Sequence, residues 1–245
     1  MTQIKIENKL GFINNFLGPI SKLTENTVLK VREDSINSVS SSSDGTLIVN
    51  CIANQKNDVN ETVYLNIPDI NRLIKVLSCV VDDNLSLNYT GNSIDYKSDA
   101  VGFKYHLLED GIIDPPRVDI SKIKKIEFDT KFDINVNSIN QLIKASTFTT
   151  DTNKIYFYTE SGKTYATLTD KQRHNVDSYT QVISDTYTGD DILTPLALSF
   201  ETVRIISSIR VDNVTIHVNS KLNVFLFQID TDSTNITIVS SGFVG

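Results

Sequence analysis

The residue types able to do covalent or metal chemistry are few in this chain, and they do not gather. The histidines are His106, His174 and His217. None has another histidine or a cysteine three or four residues away, the spacing that sets two ligands on one helix face. His106 and His217 fall in alternating stretches, where a strand holds such a residue in the core or at its rim. No Cys-x-x-Cys or His-Glu-x-x-His run is present, so no zinc site is expected. The ten glycines form neither a phosphate loop nor a Gly-x-Gly-x-x-Gly turn, and there is no Gly-x-Ser-x-Gly nucleophile turn. Asp82-Asp83 and Asp190-Asp191 stand before strand-like stretches and read as solvated turns. The expectation is a protein that is not an enzyme and needs no cofactor or metal.

What remains is charge. The total is −7, a poor balance for a simple nucleic-acid sleeve. Its distribution says more. Four stretches of helical pattern, 8–23, 68–80, 137–148 and 199–210, hold Lys9, Lys22, Arg72, Lys75, Lys144, Arg204 and Arg210 against Asp69 and Glu201. They carry +5, which leaves −12 for everything else. The plainer reading is four solvated helix faces. Arg72 and Lys75 are three apart, share a face and rank first among the cations.

The elements that must position these cations repeat. In Asp69–Leu77 apolar residues fall at Ile70, Leu73, Ile74 and Leu77, the i, i+3, i+4, i+7 pattern of a helix with one buried face. Pro68 suits the first turn, where a missing N–H is harmless. Ile139-Asn140-Gln141-Leu142-Ile143-Lys144 is nearly the same string, Ile13-Asn14-Asn15-Phe16-Leu17 a looser one, and Thr202–Ile209 the loosest. The copies start 57, 69 and 63 residues apart, a near-constant period. In the first helix Gly18-Pro19 should end or kink the run. Between the helices lie short alternating stretches, read as half-buried antiparallel strands. They include Thr27–Arg32, Thr46–Ile52, Glu61–Ile67, Gly102–Leu108, Lys163–Leu168 and Asp177–Tyr187. The serine run Ser38–Ser43 before Asp44-Gly45 reads as a turn. The unit is one amphipathic helix followed by three or four strands, four times over.

Residues 109–124 break this pattern. Pro115-Pro116 excludes helix and central strand and favours an extended connector. The expected division is 1–108, connector 109–124, and 125–245. Cys51 and Cys79 are too few for a disulfide framework, and no signal peptide or bilayer-length apolar run is seen. A reducing, cytoplasmic setting without membrane contact is the expectation.

An Ile-Asn-x-Leu-Ile-Lys helix followed by alternating strands, twice per domain in two domains joined by a proline-containing connector, resembles the DNA sliding clamps. Ile13–Leu17 and Asn140–Ser146 look like the first and third helices of the clamp of T-even-type bacteriophages. The resemblance covers almost the whole chain and rests on patterns, not on a catalytic signature. It implies an α+β fold of two similar domains, each with two helices packed on antiparallel sheets, forming a ring closed as a homotrimer. It further implies that duplex DNA passes through the ring unread, held by phosphate contacts from the basic helices, while an acidic exterior repels DNA. The candidate DNA contacts are then the seven cations above. The implied partners are the DNA polymerase and an ATP-dependent clamp loader. Two departures stand out: the first helix offers Asn14 and Asn15 where the second has Asn71 and Arg72, and the third has Gln141 in place of Arg72.

Ring closure by resemblance pairs the edge near Phe103–Leu108 of one chain with that near Asp177–Tyr187 of the next. Clamps of this kind capture partner peptides in an apolar pocket near the connector. Here the candidates are Ile112, Ile113 and Val118, with Phe243 and Val244 at the chain end. The alternative for Ile112 and Ile113 is that they staple the connector to the first domain. Two other classes compete: a viral structural or assembly protein with a repeated β-rich module, which has no need of basic helices, and a β-rich hydrolase with a site invisible in sequence.

Overall fold

A computed structural model describes residues 2–118, 120–123, 125–150, 152–173 and 175–243. The chain divides into two compact units. One comprises Met1–Ser42, Val49–Val118 and Asp230–Ile236; the other comprises Ser43–Ile48, Asp119–Ile229 and Thr237–Gly245.

The first unit opens with strand β1 (Thr2–Ile6) and helix α1, built from the consecutive segments Lys9–Gly11, Phe12–Leu17 and Gly18–Ser21. Strands β2 (Thr27–Val31), β3 (Ser35–Ser41), β4 (Leu47–Asn54, in this unit from Val49 on) and β5 (Val63–Ile67) follow. Helix α2 (Ile70–Ser78) leads into β6 (Leu85–Tyr89), β7 (Ser93–Lys97) and β8 (Gly102–His106). One sheet runs β1-β6-β7-β8; in the other, β4, β3, β2 and β5 are neighbours in that order. Ile4 lies opposite Leu87, and Leu29 opposite Leu65. Most of the residues that the periodicity marks are buried, although Ile74 of α2 is only half-buried and Leu10 of α1, on the same pattern, is 55% exposed. Ile70, Leu73 and Leu77 of α2 are buried, as are Phe16, Leu17 and Ile20 of α1. Each such side chain contributes about 1.5–3 kcal/mol by leaving water.

The second unit has β9 (Thr130–Asn135), α3 (Val136–Ala145), β10 (Lys154–Glu160), β11 (Lys163–Leu168), β12 (Tyr179–Ser184), β13 (Thr188–Gly189) and β14 (Leu196–Ser199). Helix α4 (Glu201–Ser207), β15 (Asn213–Asn219), β16 (Val224–Asp230) and β17 (Thr234–Ser241) complete it. One sheet is β12-β11-β10-β14; in the other β13, β9, β15, β16 and β17 are neighbours. Its core is aromatic: Phe157 lies 6.4 Å from Phe132 and 5.5 Å from Phe225, centroid to centroid. Ile139 and Leu142 of α3 and Val203, Ile205 and Ile206 of α4 are buried with it.

Three readings need correction. The serine run is mostly strand: β3 reaches Ser41, and Ser38 and Ser40 are buried. Their hydroxyls meet the Thr27 hydroxyl at 2.7 and 3.2 Å, so small polar side chains are satisfied inside the sheet. The turn falls over residues 43–46, where Gly45 takes φ 70°. The amino-terminal residues form a strand, β1, where none was expected. Of the two outcomes expected at Gly18-Pro19, an end or a kink, the end does not occur. The helix widens into a π turn over Phe12–Leu17, closed by the Gly18 N–H donating to the Ile13 carbonyl. Widening makes room for a proline that has no N–H to give. A Cβ on Gly18 would lie 3.2 Å from that carbonyl oxygen, so this tight closure favours glycine. Within the expected connector, Ile120–Ile123 forms one short helical turn.

Candidate nucleic-acid interface and partner clefts

The start of α2 is well fastened. The Asp69 side chain caps it by accepting the Arg72 N–H at 2.9 Å. The Tyr105 hydroxyl of β8 donates to the Asp69 carbonyl at 2.6 Å. Burial, the main influence, holds the Tyr105 phenol above its ordinary range. With the apolar stripe buried, Asn71, Arg72 and Lys75 are left exposed on the opposite face. On α3, Asn140, Gln141 and Lys144 are exposed in the same way, and the Asn135 side chain caps the helix by accepting the Asn137 N–H at 2.8 Å. Lys22, just past α1, is exposed, and so is Arg210, beyond α4.

Helix α4 is different. Its exposed face presents Glu201 and Arg204, which form an ion pair, and the Arg204 guanidinium lies 5.2 Å from the centre of the Phe200 ring. Phe200 supplies no side-chain cap. Lys9 leaves the set of candidate cations altogether. It is 7% exposed, and its ammonium donates to the Val80 carbonyl and, at 3.5 Å, to that of Val81. It ties α1 to the segment after α2. Asn15 is buried too, so the first helix offers no polar counterpart of Arg72 there.

The edge strands fall where expected. β8 ends its sheet with Phe103, Lys104 and His106 on the open strand, and β12 ends the other with Gln181 and Val182.

The partner candidates divide between two clefts, one in each unit. Ile113 is half-buried in a cleft of about 150 Å³ with Val28, Val39, Pro115 and Pro116. Ile112 is 64% exposed, and Val118 is half-buried. Phe243 lines a larger cleft of about 440 Å³ in the second unit, with Tyr156, Leu196, Leu222 and the lysines 154, 171 and 221. It sits there because its N–H donates to the Ala197 carbonyl at 2.9 Å. Val244 lies outside the described residues. The Lys154 ammonium is 3.5 Å from Asp170 and 5.6 Å from the Phe243 ring; that of Lys171 is 4.9 Å from the Tyr156 ring. Sequence reasoning missed Tyr156, Leu222, Lys171 and Lys221. Only Leu222, an apolar residue in a turn, carries a local signal.

Cys51 is buried, and burial pushes its thiol far up; Cys79 is exposed. Among the described residues no cluster of three potential metal ligands occurs, and no helix is long and apolar enough to cross a membrane.

No family model and no curated protein matches the sequence. Solved structures do resemble it over its full length. Proliferating cellular nuclear antigen from Entamoeba histolytica matches with a TM-score of 0.78 at 12% identity, covering 99% of each chain. A chain of the PCNA2–PCNA3 complex from Sulfolobus tokodaii matches at 0.76 and 15% identity, over 98% of each. The A. fulgidus PCNA solved with the C-terminal region of FEN-1 matches at 0.77 and 13% identity, over 100% of this chain and 99% of that one. The four amphipathic helices on antiparallel sheets thus have the sliding-clamp fold.

Proposed function

We propose that this protein is a sliding clamp that encircles duplex DNA and tethers the replicative polymerase, after loading by an ATP-dependent loader. The observation that carries the reading is the exposed cation set on and just beyond the helices of an otherwise acidic chain that has this fold. Lys22, Arg72, Lys75, Lys144 and Arg210 are its phosphate contacts. Contacts to phosphates carry no sequence information, which suits a protein that must slide. The helix strings quoted above support the T-even bacteriophage type within the reading. An assembly protein with a repeated module has no use for this charge separation.

The test is topological. On nicked circular DNA with loader and ATP, the protein should be retained through a high-salt wash and lost when the circle is linearised. Equal retention on both forms would refute encirclement. Ring closure is assigned to β8 of one chain pairing with β12 of the next, a head-to-tail contact that covers both open strands. Light scattering at micromolar concentration should report a trimer or a trimer–monomer equilibrium; a strict monomer at high concentration would refute closure.

Tethering needs a place for a partner segment, since it raises the local concentration of polymerase at its template. We assign it first to the Phe243 cleft, whose apolar floor lies beside Lys171 and Lys221, while Lys154 is held by Asp170. Such a rim favours a segment with an aromatic anchor beside a carboxylate. The Ile112, Ile113 and Val118 surface of the connector is the second assignment. Phe243→Ser with Leu222→Ser should abolish binding of a polymerase tail peptide and leave the oligomer intact. If Ile113→Ser with Val118→Ser does so instead, the connector is the site.

A further inference from the structure

We propose that Glu201 withholds Arg204 from the phosphates, so that α4 faces DNA as a neutral surface whether this pair is closed or open. The inference rests on the clamp reading above. Arg204 is the one cation within α4, on the face opposite buried Val203 and Ile206. It is also a cation of the helix set already ion-paired, to Glu201 one turn earlier. Phe200 restrains it further, since the guanidinium rests 5.2 Å from the ring centre. Both members of the pair are about half exposed, at 48% and 49%, so solvent alone can part them. Parting them does not free a net charge. If Arg204 swings to a phosphate, the Glu201 carboxylate stays on the same face and repels that phosphate. The pair therefore displaces almost no counterion from DNA, whichever geometry it takes. By contrast, no acid lies within ion-pair distance of Arg72 or Lys75 among the described residues. Glu201 is accordingly a positioning residue that sets how many cations the second unit commits.

The test is the salt dependence of duplex binding by the full chain, measured by anisotropy with a labelled duplex of arbitrary sequence. Glu201→Gln keeps the side-chain shape and removes the charge. It should steepen log K against log salt by about 0.9 for each Arg204 that reaches a phosphate, about threefold in affinity over a fourfold change in salt. The double variant Glu201→Gln with Arg204→Ala should return to the wild-type slope. A Glu201→Gln slope equal to wild type would overturn the proposal. So would a gain that persists in the double variant, because it would come from the general field and not from Arg204. Wild-type protein with no salt-dependent duplex binding would instead refute the clamp reading itself.

Discussion

Helices α2 and α4 are copies of one pattern put to different ends. Both bury an apolar stripe against a sheet: Ile70, Leu73 and Leu77 in one, Val203, Ile205 and Ile206 in the other. Arg72 and Arg204 occupy matching positions in the two strings. Yet α2 is capped by Asp69 and leaves Arg72 and Lys75 to solvent, while α4 gets no bond from its N-cap residue Phe200, only a long one from the Ser199 hydroxyl, which accepts the Glu201 N–H at 3.3 Å, and it spends its arginine on Glu201. The lesson is that a shared apolar stripe secures the packing of a repeat and leaves its outer face free to diverge. A cation count along the sequence treats Arg72 and Arg204 alike; their neighbours one turn away make them unlike.

The largest effect expected along α2 is on stability. Leu73→Ala removes a fully packed side chain, 1% exposed, and should destabilise the protein by about 2–5 kcal/mol in denaturant titration. A loss under 1 kcal/mol would mean that the helix is not docked as described. Next comes the paired change Arg72→Ala with Lys75→Ala. It should flatten the salt dependence of duplex binding by about two units of slope, roughly tenfold in affinity over a fourfold salt range, without regard to sequence. An unchanged slope would erase the contrast with α4. Asp69→Ala should cost about 1 kcal/mol through the lost cap, whereas Phe200 gives α4 no such bond to lose. The smallest change is Lys144→Ala on α3, which should lower the slope by about one unit. Lys9→Met serves as the control: its thermal midpoint should fall while its salt slope stays put, because its ammonium serves two carbonyls and not DNA.

The stripe of each helix could be read without coordinates because periodicity is local. Ile205, Ile206 and Ile209 align with Leu73, Ile74 and Leu77 and are buried as that alignment implies. The edge positions of β8 and β12 came from family resemblance, not from composition. The serine strand was missed because its stability lies in a hydroxyl contact between Thr27 and residues 11 and 13 further on, which no alternation rule registers. Lys9 was misjudged for a similar reason, since the carbonyls that hold it lie 71 and 72 residues away. The Phe243 cleft is also a product of distance: it gathers side chains from Lys154 to the chain end.

The two thiols described above give the chain a practical property. Cys51 is wholly enclosed and holds its proton, whereas Cys79 is exposed at the carboxyl end of α2, with its sulfur 3.3 Å from the Lys75 carbonyl. A maleimide dye should therefore attach once per chain without mutagenesis, beside the two cations ranked first. A fluorophore there reports directly on whether α2 meets DNA, and three copies in a closed ring would quench or transfer energy among themselves in a way that a monomer cannot.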